Sequence, residues 1–323
     1  MLAEIRWGNK EEQVCPKCGV VRSHYVIRTR RQWRCKDCKS TFSVTKHSPF
    51  ADHKLSYKKL LLAIYLFVTD HKGLSALKLK RQLNCDYRTC FVLLHKIRDA
   101  LTRSVKPEKL GGIVEIDGAH FSGRPRKGRK RRRTHSQTGE VEHRTKLPDR
   151  SYWRHPNRRI VMVIREYSGW RYGASKTVVA ICRSENAKDV NQLAKQWIEP
   201  RSIIRTDEYK AYKGLQKLEG LNFIHEVVNH SVEFSTDAGV NENQAESYFS
   251  RLRRAQKGIH HRITPHYMID YANEMAWRED HRRESTIKQL NNLVKRVFNA
   301  GKSQDWRGYS QGHRRQDEQS MVA

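Results

Sequence analysis

The sequence predicts an α/β protein, a mixed sheet flanked by helices, set behind two small N-terminal modules. Three observations carry this. Two Cys-x-x-Cys pairs stand near the N-terminus, and a helical apolar pattern runs from Ser56 to Ser104. From Ile113 onward, short β-rich runs alternate with amphipathic stretches. A chain of 323 residues has room for one substantial core and one or two satellites.

Charge narrows the function. There are 64 Lys and Arg against 34 Asp and Glu, a net +30. Self-repulsion on that scale suits a protein whose partner is a polyanion, with nucleic acid first and anionic membrane second. The longest apolar run, LLLAIYLFV from Leu60 to Val68, is far short of the ~20 residues that span a bilayer. The opening MLAEIRWGNKEEQ lacks the apolar core of a signal peptide. The expectation is a soluble cytosolic protein whose seven cysteines are thiols or metal ligands, not disulfides.

The first module, residues 13–50, carries VCPKCG (Cys15, Cys18) and WRCKDC (Cys35, Cys38) around a β-rich YVIRTRRQWR. Two such pairs match one tetrahedral Zn²⁺ held by two hairpin loops, and a unit this small needs the metal to fold. The alternatives, unrelated thiols or a redox pair, do not account for the double spacing. Cys85, Cys90 and Cys182 have no such partners and are expected to pack.

The second module, 54–105, opens with a Ser cap on SYKKLLLAIYLFVTD, continues through GLSALKLKRQLN, and turns near Asn84 to Asp86 into CDYRTCFVLLHKIRDAL. Short helix, turn and longer basic helix is a helix-turn-helix layout, with Tyr87, Arg88 and Thr89 opening the recognition helix. A plain packing bundle is the alternative. Charge and the adjoining ribbon favour DNA.

After the linker KPEKLGG comes the main domain, 110–283. IVEIDGAHFSG is a strand with Glu115 and Asp117 on one face. RPRKGRKRRR follows, eight basic residues in ten, so 124–150 is expected to be a disordered loop. There Arg129, Lys130 and Arg131 would touch DNA phosphates non-specifically. Next come strands RRIVMVIREY and WRYGASKTVVAI, helix NAKDVNQLAKQWI and strand SIIRTD. Helix EYKAYKGLQKL, strand NFIHEVVNH, and helices NENQAESYFSRLRRAQKG and TPHYMIDYANEMAWRED complete the order. Residues 284–323 are read as a C-terminal helix and a tail whose last twenty or so residues are disordered.

Asp117 ends the first strand of this domain and Asp207 the fourth. A desolvated acid is costly unless a cation or a metal pairs with it. Adjoining strand ends build the site in open α/β sheets. A third acid can come from the helix after the fifth strand, where Glu242 and Glu246 lie at i and i+4. Three converging carboxylates make a hard oxygen site for Mg²⁺ or Mn²⁺, and a pair of ions ~4 Å apart serves phosphodiester chemistry. On that last helix Glu246, Ser250, Arg253 and Lys257 share a face, while Ala245, Phe249 and Leu252 form a core stripe. Glu115, Glu208 and Glu242 are nearby acids without an assigned role. His230, His260 and His261 either meet phosphate or pack, and packing is the better expectation.

The knuckles, the helix-turn-helix, EIDGAHFSG, RTDEYKAY, VNHSVEF and NENQAESYFSRLRRAQKGIHHRITPHYMIDYANEMAWR together resemble the DDE transposases of bacterial insertion sequences, more narrowly the fifteen-ninety-five family. The resemblance spans roughly residues 13 to 283 and is most specific in its last segment. It implies an RNase H-like catalytic domain with Asp117, Asp207 and Glu246 as ligands of two Mg²⁺ or Mn²⁺. Arg253 would be the basic residue seven positions after the Glu, where Lys is common, and Asn243 is a lesser candidate. The partners implied are double-stranded transposon ends and target DNA, contacted also by Arg254 and Lys257, with a homodimer or larger assembly when ends are paired. The place implied is the nucleoid of a bacterial cytoplasm. The activity implied is hydrolysis at each inverted-repeat end by water, then attack of the freed 3′-OH on target, with no covalent protein–DNA intermediate. A DNA-binding regulator with an inactive catalytic domain is the alternative. An RNA-directed nuclease is disfavoured by the helix-turn-helix.

Overall fold

The computed structural model describes residues 2–105, 108–121, 132–134, 141–143, 157–169, 173–228 and 243–319. A short helix α1 (Leu2–Trp7) leads into the ribbon. Strands β1 (Gln13–Val14) and β2 (Val21–Arg22) form one hairpin, and β3 (Tyr25–Ile27), β4 (Gln32–Arg34) and β5 (Thr41–Ser43) a three-stranded antiparallel sheet. Its apolar content is slight. Cys15, Cys35 and Phe42 are buried, with Trp7 and Trp33 edge-on at 5.2 Å.

Helices α2 (Tyr57–Thr69), α3 (Ala76–Leu83) and α4 (Tyr87–Arg103) follow. Ser56 caps α2 by accepting the Lys59 N–H, and Ser75 caps α3 through Lys78. Asn84, at φ 47°, ends α3 in the left-handed region that Asn tolerates, which turns the chain into α4. The 54–105 module does not close its own core. Leu293, Val294, Val297 and Phe298 of the last helix, α8 (Thr286–Asn299), pack into it beside Phe50, Ile64, Phe67 and Ile97. A three-helix unit buries too little on its own, and the amphipathic α8 supplies the missing wall.

The main domain is a five-stranded sheet. β6 (Ile113–Phe121), β9 (Arg159–Tyr167) and β10 (Ala174–Cys182) form an antiparallel meander, and β11 (Ile203–Asp207) and β12 (Ile224–Val228) add in parallel on the other side of β6. The order β10-β9-β6-β11-β12 is the RNase H-like mixed sheet that the sequence predicts. Short strands β7 (Arg132–Thr134) and β8 (Val141–His143) pair with each other within the stretch read as a loop. Helix α5 (Ala187–Trp197) covers one face with Val190, Leu193, Ala194 and Trp197. Helices α6 (Asn243–Ala255) and α7 (Met268–Asp280) cover the other, over Ala119, Phe121, Val161, Val163, Val179 and Ile181.

Three expectations are corrected. Asp117 does not end a strand: it lies at the middle of β6, whose pairing with β9 continues past it to Phe121. EYKAYKGLQKL is not a helix. It runs as turns to a single 3-10 turn at Leu215–Lys217, and it buries Ala211, Tyr212 and Leu215 at a spacing set by the sheet edge. The tail is packed as far as Gln319: Trp306 and Arg315 are buried, and Arg315 pairs with Asp270 at 3.1 Å and Asp305 at 2.8 Å. Charge complementarity between Arg315 and the buried acid Asp270 docks this segment.

α4 lies on α7 through a charged interface. Arg98 Nε donates to Glu274 Oε2 at 2.6 Å, and Arg278 Nη2 donates to Glu274 Oε1 at 2.8 Å. Burial pushes the Glu274 carboxyl up, but Arg98 and Arg278 outweigh it and hold it at about 2. No helix among the described residues is long and apolar enough to cross a membrane.

Candidate functional site

The four knuckle cysteines converge. Their sulfurs all lie within 4.8 Å of one another, with Cys15–Cys38 at 3.6 Å and Cys18–Cys35 at 3.7 Å. Tetrahedral Zn–S bonds of ~2.3 Å require sulfurs about 3.8 Å apart, so the donor set fits structural zinc. Each hairpin aims its knuckle by a tight turn: Cys15 N–H donates to Val20 O at 2.9 Å and Cys35 N–H to Ser40 O at 2.8 Å.

The carboxylate site is assembled by the sheet. β6 and β11 pair in parallel as far as Arg205 level with Glu115, and Asp207 and Asp117 each lie two residues further along their strands. Asp117 Oδ1 accepts the Gly118 N–H at 2.6 Å, and Asp207 Oδ1 accepts the Tyr209 N–H at 3.0 Å. Helix α6 brings Glu246 from the other side. Burial, then the charges of Asp207, Glu185 and Glu246, lift Asp117 to about 7 against the Gly118 hydrogen bond. The three predicted acids thus share one electrostatic neighbourhood. They are spaced more widely than the cysteines, which form the one set of three or more ligand groups within 4.8 Å among the described residues. Acids that bridge a pair of ions ~4 Å apart do not all touch. Oxygen donors, negative excess and a raised acid suit a hard divalent cation.

Sequence reasoning missed two residues. Glu185, between β10 and α5, is a fourth acid beside Asp117 and Asp207, and buried Tyr212 donates its hydroxyl to Glu185 Oε1. Gly118 makes room for it, because a Cβ there would stand 2.6 Å from Glu185 Oε1. No local pattern marks Glu185.

The other candidates divide. Arg253 is exposed, its guanidinium over Phe121 and Phe249 at 5.8 Å each, and Arg254 and Lys257 are exposed beyond it. Tyr87, Arg88 and Thr89 are exposed at the start of α4. Glu115 is fully buried and accepts the N–H groups of Gln244 and Ala245, while Glu208 is exposed. Burial drives His260 down to about 3 as it packs against Tyr271 at 4.6 Å, whereas His261 is exposed. Arg129, Lys130, Arg131, His230 and Glu242 lie outside the described residues.

Comparison with known proteins bears on both parts. Residues 109–280 match the ISXO2-like transposase domain, and residues 1–41 match the transposase zinc-ribbon domain. An uncharacterized protein in transposable element ISH50 of Halobacterium salinarum is 26% identical over 280 residues, covering 82% of this chain and 86% of its own. Among solved structures, the Mos1 strand transfer complex is 16% identical, covering 78% of this chain and 81% of that one, at a TM-score of 0.22. The Mos1 mariner paired end complex with Mn is 16% identical, covering 78% and 82%, also at 0.22, a likeness too slight to build on. With more than half of its length matched by the one domain and its N-terminus by the other, the chain belongs to the ISXO2-like transposase family.

Proposed function

We propose that the chain is an active DDE transposase that binds the terminal inverted repeats of its element, cleaves a strand at each end and transfers it to target DNA. The observation that carries this is that Asp117 and Asp207 lie two residues beyond the paired Glu115 and Arg205 on adjacent parallel strands, with the charges of Asp207 and Glu246 both acting on Asp117, inside the domain matched as a transposase. Asp117, Asp207 and Glu246 would hold two Mg²⁺ or Mn²⁺. Such ions, when bound, supply charge stabilisation to the attacking and leaving oxygens of a phosphodiester.

The chain's own residues do the rest. The two aspartates are pinned by local N–H bonds, so little reorganisation is needed on binding. Glu246 is oriented by a helix whose N-terminus Glu115 holds. Arg253, Arg254 and Lys257 run on from Glu246 along exposed α6 and its extension, and would meet the phosphate backbone. Tyr87, Arg88 and Thr89 would read an end sequence, with Arg129, Lys130 and Arg131 adding non-specific affinity. The ribbon, with one zinc, would support end binding. Pairing of ends calls for at least two copies.

Asp207→Asn tests the reading. The variant keeps shape but loses charge, and a site relieved of repulsion need not lose stability. It is expected to bind end duplex in Mg²⁺ yet neither nick nor join it, while Glu208→Gln stays active. Cleavage by Asp207→Asn at the wild-type rate would refute the carboxylate site. Wild-type protein that binds ends but never cuts in Mg²⁺ or Mn²⁺ would be the DNA-binding regulator.

A further inference from the structure

The C-terminal segment, residues 303–319, crosses from the helical module to the sheet domain. Trp306 stacks on His95 of α4 at 4.3 Å and lies 5.8 Å from Phe91. Arg103 of α4 donates to the carbonyls of Ala300 at 2.7 Å and Lys302 at 3.2 Å. Further on, Arg315 reaches Asp270 of α7, and Arg159 of β9 donates to Glu318 Oε2 at 2.6 Å. The strap is therefore anchored at both ends by buried groups.

Between the strap, the loop at Ser48 to Asp52 and α4 lies an open cavity of about 430 Å³. Lys96, Lys302 and Arg307 line it, with Asp52 as the acid. Among the described residues none of the three is in a salt bridge, although Lys96, whose pKa burial lowers, feels the charge of Asp52. Unpaired cations are common in a chain with 64 basic and 34 acidic side chains. What sets these apart is concavity and placement. Val92 and Lys96 lie one and two steps of four residues along α4 from exposed Arg88, so the groove continues the face that Arg88 opens. A phosphodiester leaving the recognition helix would meet a depression with excess positive charge, built on an anchored segment.

We propose that this groove binds the DNA backbone, with Lys302 and Arg307 as phosphate contacts that extend the α4 interface. The proposal rests on the DNA-binding reading above. Phosphate contacts of this kind position the duplex and carry no sequence information.

The test uses the full chain and the double variant Lys302→Ala with Arg307→Ala. Half-buried Lys96 is left in place to protect the fold. Each protein is titrated with an end duplex and a random duplex at several salt concentrations. The double variant is expected to melt as wild type and to bind both duplexes more weakly by the same factor. Its log–log salt slope should be shallower by about 1.8, since each phosphate contact contributes about 0.9. Unchanged affinity and slope, in a protein whose Arg88→Ala variant does lose end preference, would overturn the groove and leave the DNA-binding reading standing. Failure of wild type to bind any duplex would overturn both. Calorimetric binding of inorganic phosphate, lost in the double variant while duplex binding is unaffected, would make this a free-anion site and also overturn the proposal.

Discussion

Glu115 holds the first turn of the helix that carries Glu246. Its Oε2 accepts the N–H of Gln244 at 3.0 Å and of Ala245 at 3.1 Å, on groups a helix start leaves without intrahelical partners. Arg165 of β9 grips the same turn by donating to the Gln244 carbonyl, and it reaches Thr177 of β10 at 3.1 Å. Three strands of the sheet thereby converge on the helix start, and the position of Glu246 relative to Asp117 follows from that convergence.

Replacing Glu115 separates orientation from ligation. Glu115→Gln keeps an acceptor oxygen, and because burial lifts the Glu115 carboxyl to about 7 against the Ala245 and Gln244 N–H bonds and Arg165, losing its charge should change stability little in urea melts at neutral pH. Glu115→Ala leaves two buried N–H groups unsatisfied and should cost about 2–3 kcal/mol. In both, strand cleavage should fall further than end binding, because the displaced group is Glu246. Equal losses of the two would remove the positioning role.

The ribbon should carry one zinc per chain by elemental analysis, and Cys35→Ser should lose it. Zinc binding contributes about 10–16 kcal/mol of apparent free energy in units of this kind, so the variant's ribbon should become protease-sensitive while the five-stranded sheet persists. End binding should weaken with it. An iron–sulfur chromophore in the purified protein would contradict the assignment.

His260 makes folding sensitive to mild acid. Burial, then the cations Arg98 and Arg278 and neighbouring His95, depress it to about 3 against Glu274. An unfolded histidine titrates near 6.5, so between there and about 3 the unfolded state binds more protons, and stability is lost as pH falls. His260→Gln should flatten the pH dependence of the melting midpoint between pH 6.5 and 4, by at most about 1.4 kcal/mol per pH unit. Parallel curves for the two proteins would show that His260 does not set the slope.

The parts legible in sequence were those with a period or a spacing. The paired cysteines, the Ser56 cap, the Asn84 turn and the alternating strands each announce themselves within a dozen residues. Asp207 was readable as an acid ending an apolar run, whereas Asp117, read the same way, lies inside β6 because the strand continues through Gly118 to Phe121. What escaped was non-local. The α8 wall of the helical module, the docking of the strap on Asp270 and the burial of Glu274 between Arg98 and Arg278 all join residues far apart in the chain. EYKAYKGLQKL carries helical spacing at Ala211, Tyr212 and Leu215, but packing on the sheet overrode that preference.

Glu185 is the strongest of the residues that sequence could not single out. Tyr212 is fully buried and its phenol is pushed far up by burial and by Glu185, so it remains a hydrogen-bond donor at any working pH. It fixes Glu185 beside Asp117 and Asp207, where burial raises the Glu185 carboxyl and Asp207 raises it further. Glu185→Gln removes a charge from this group and is expected to lower cleavage and Mn²⁺ affinity ~10–100-fold, the range seen when a residue supporting a metal site is lost. Tyr212→Phe removes only the orienting hydroxyl and should have a smaller effect in the same direction. Gly118→Ala is the sharpest of the three, because it leaves every charge in place. Its Cβ would stand 2.6 Å from Glu185 Oε1 and 2.7 Å from Met162 Sδ, so the carboxylate must move. If Glu185 acts through its position, Gly118→Ala should follow Glu185→Gln in losing Mn²⁺ affinity while end binding stays near wild type, with a loss of about 1–3 kcal/mol in melts from the crowding of Met162. If both variants bind Mn²⁺ and cut as the wild type does, Glu185 is only the hydrogen-bond partner that keeps Tyr212 buried.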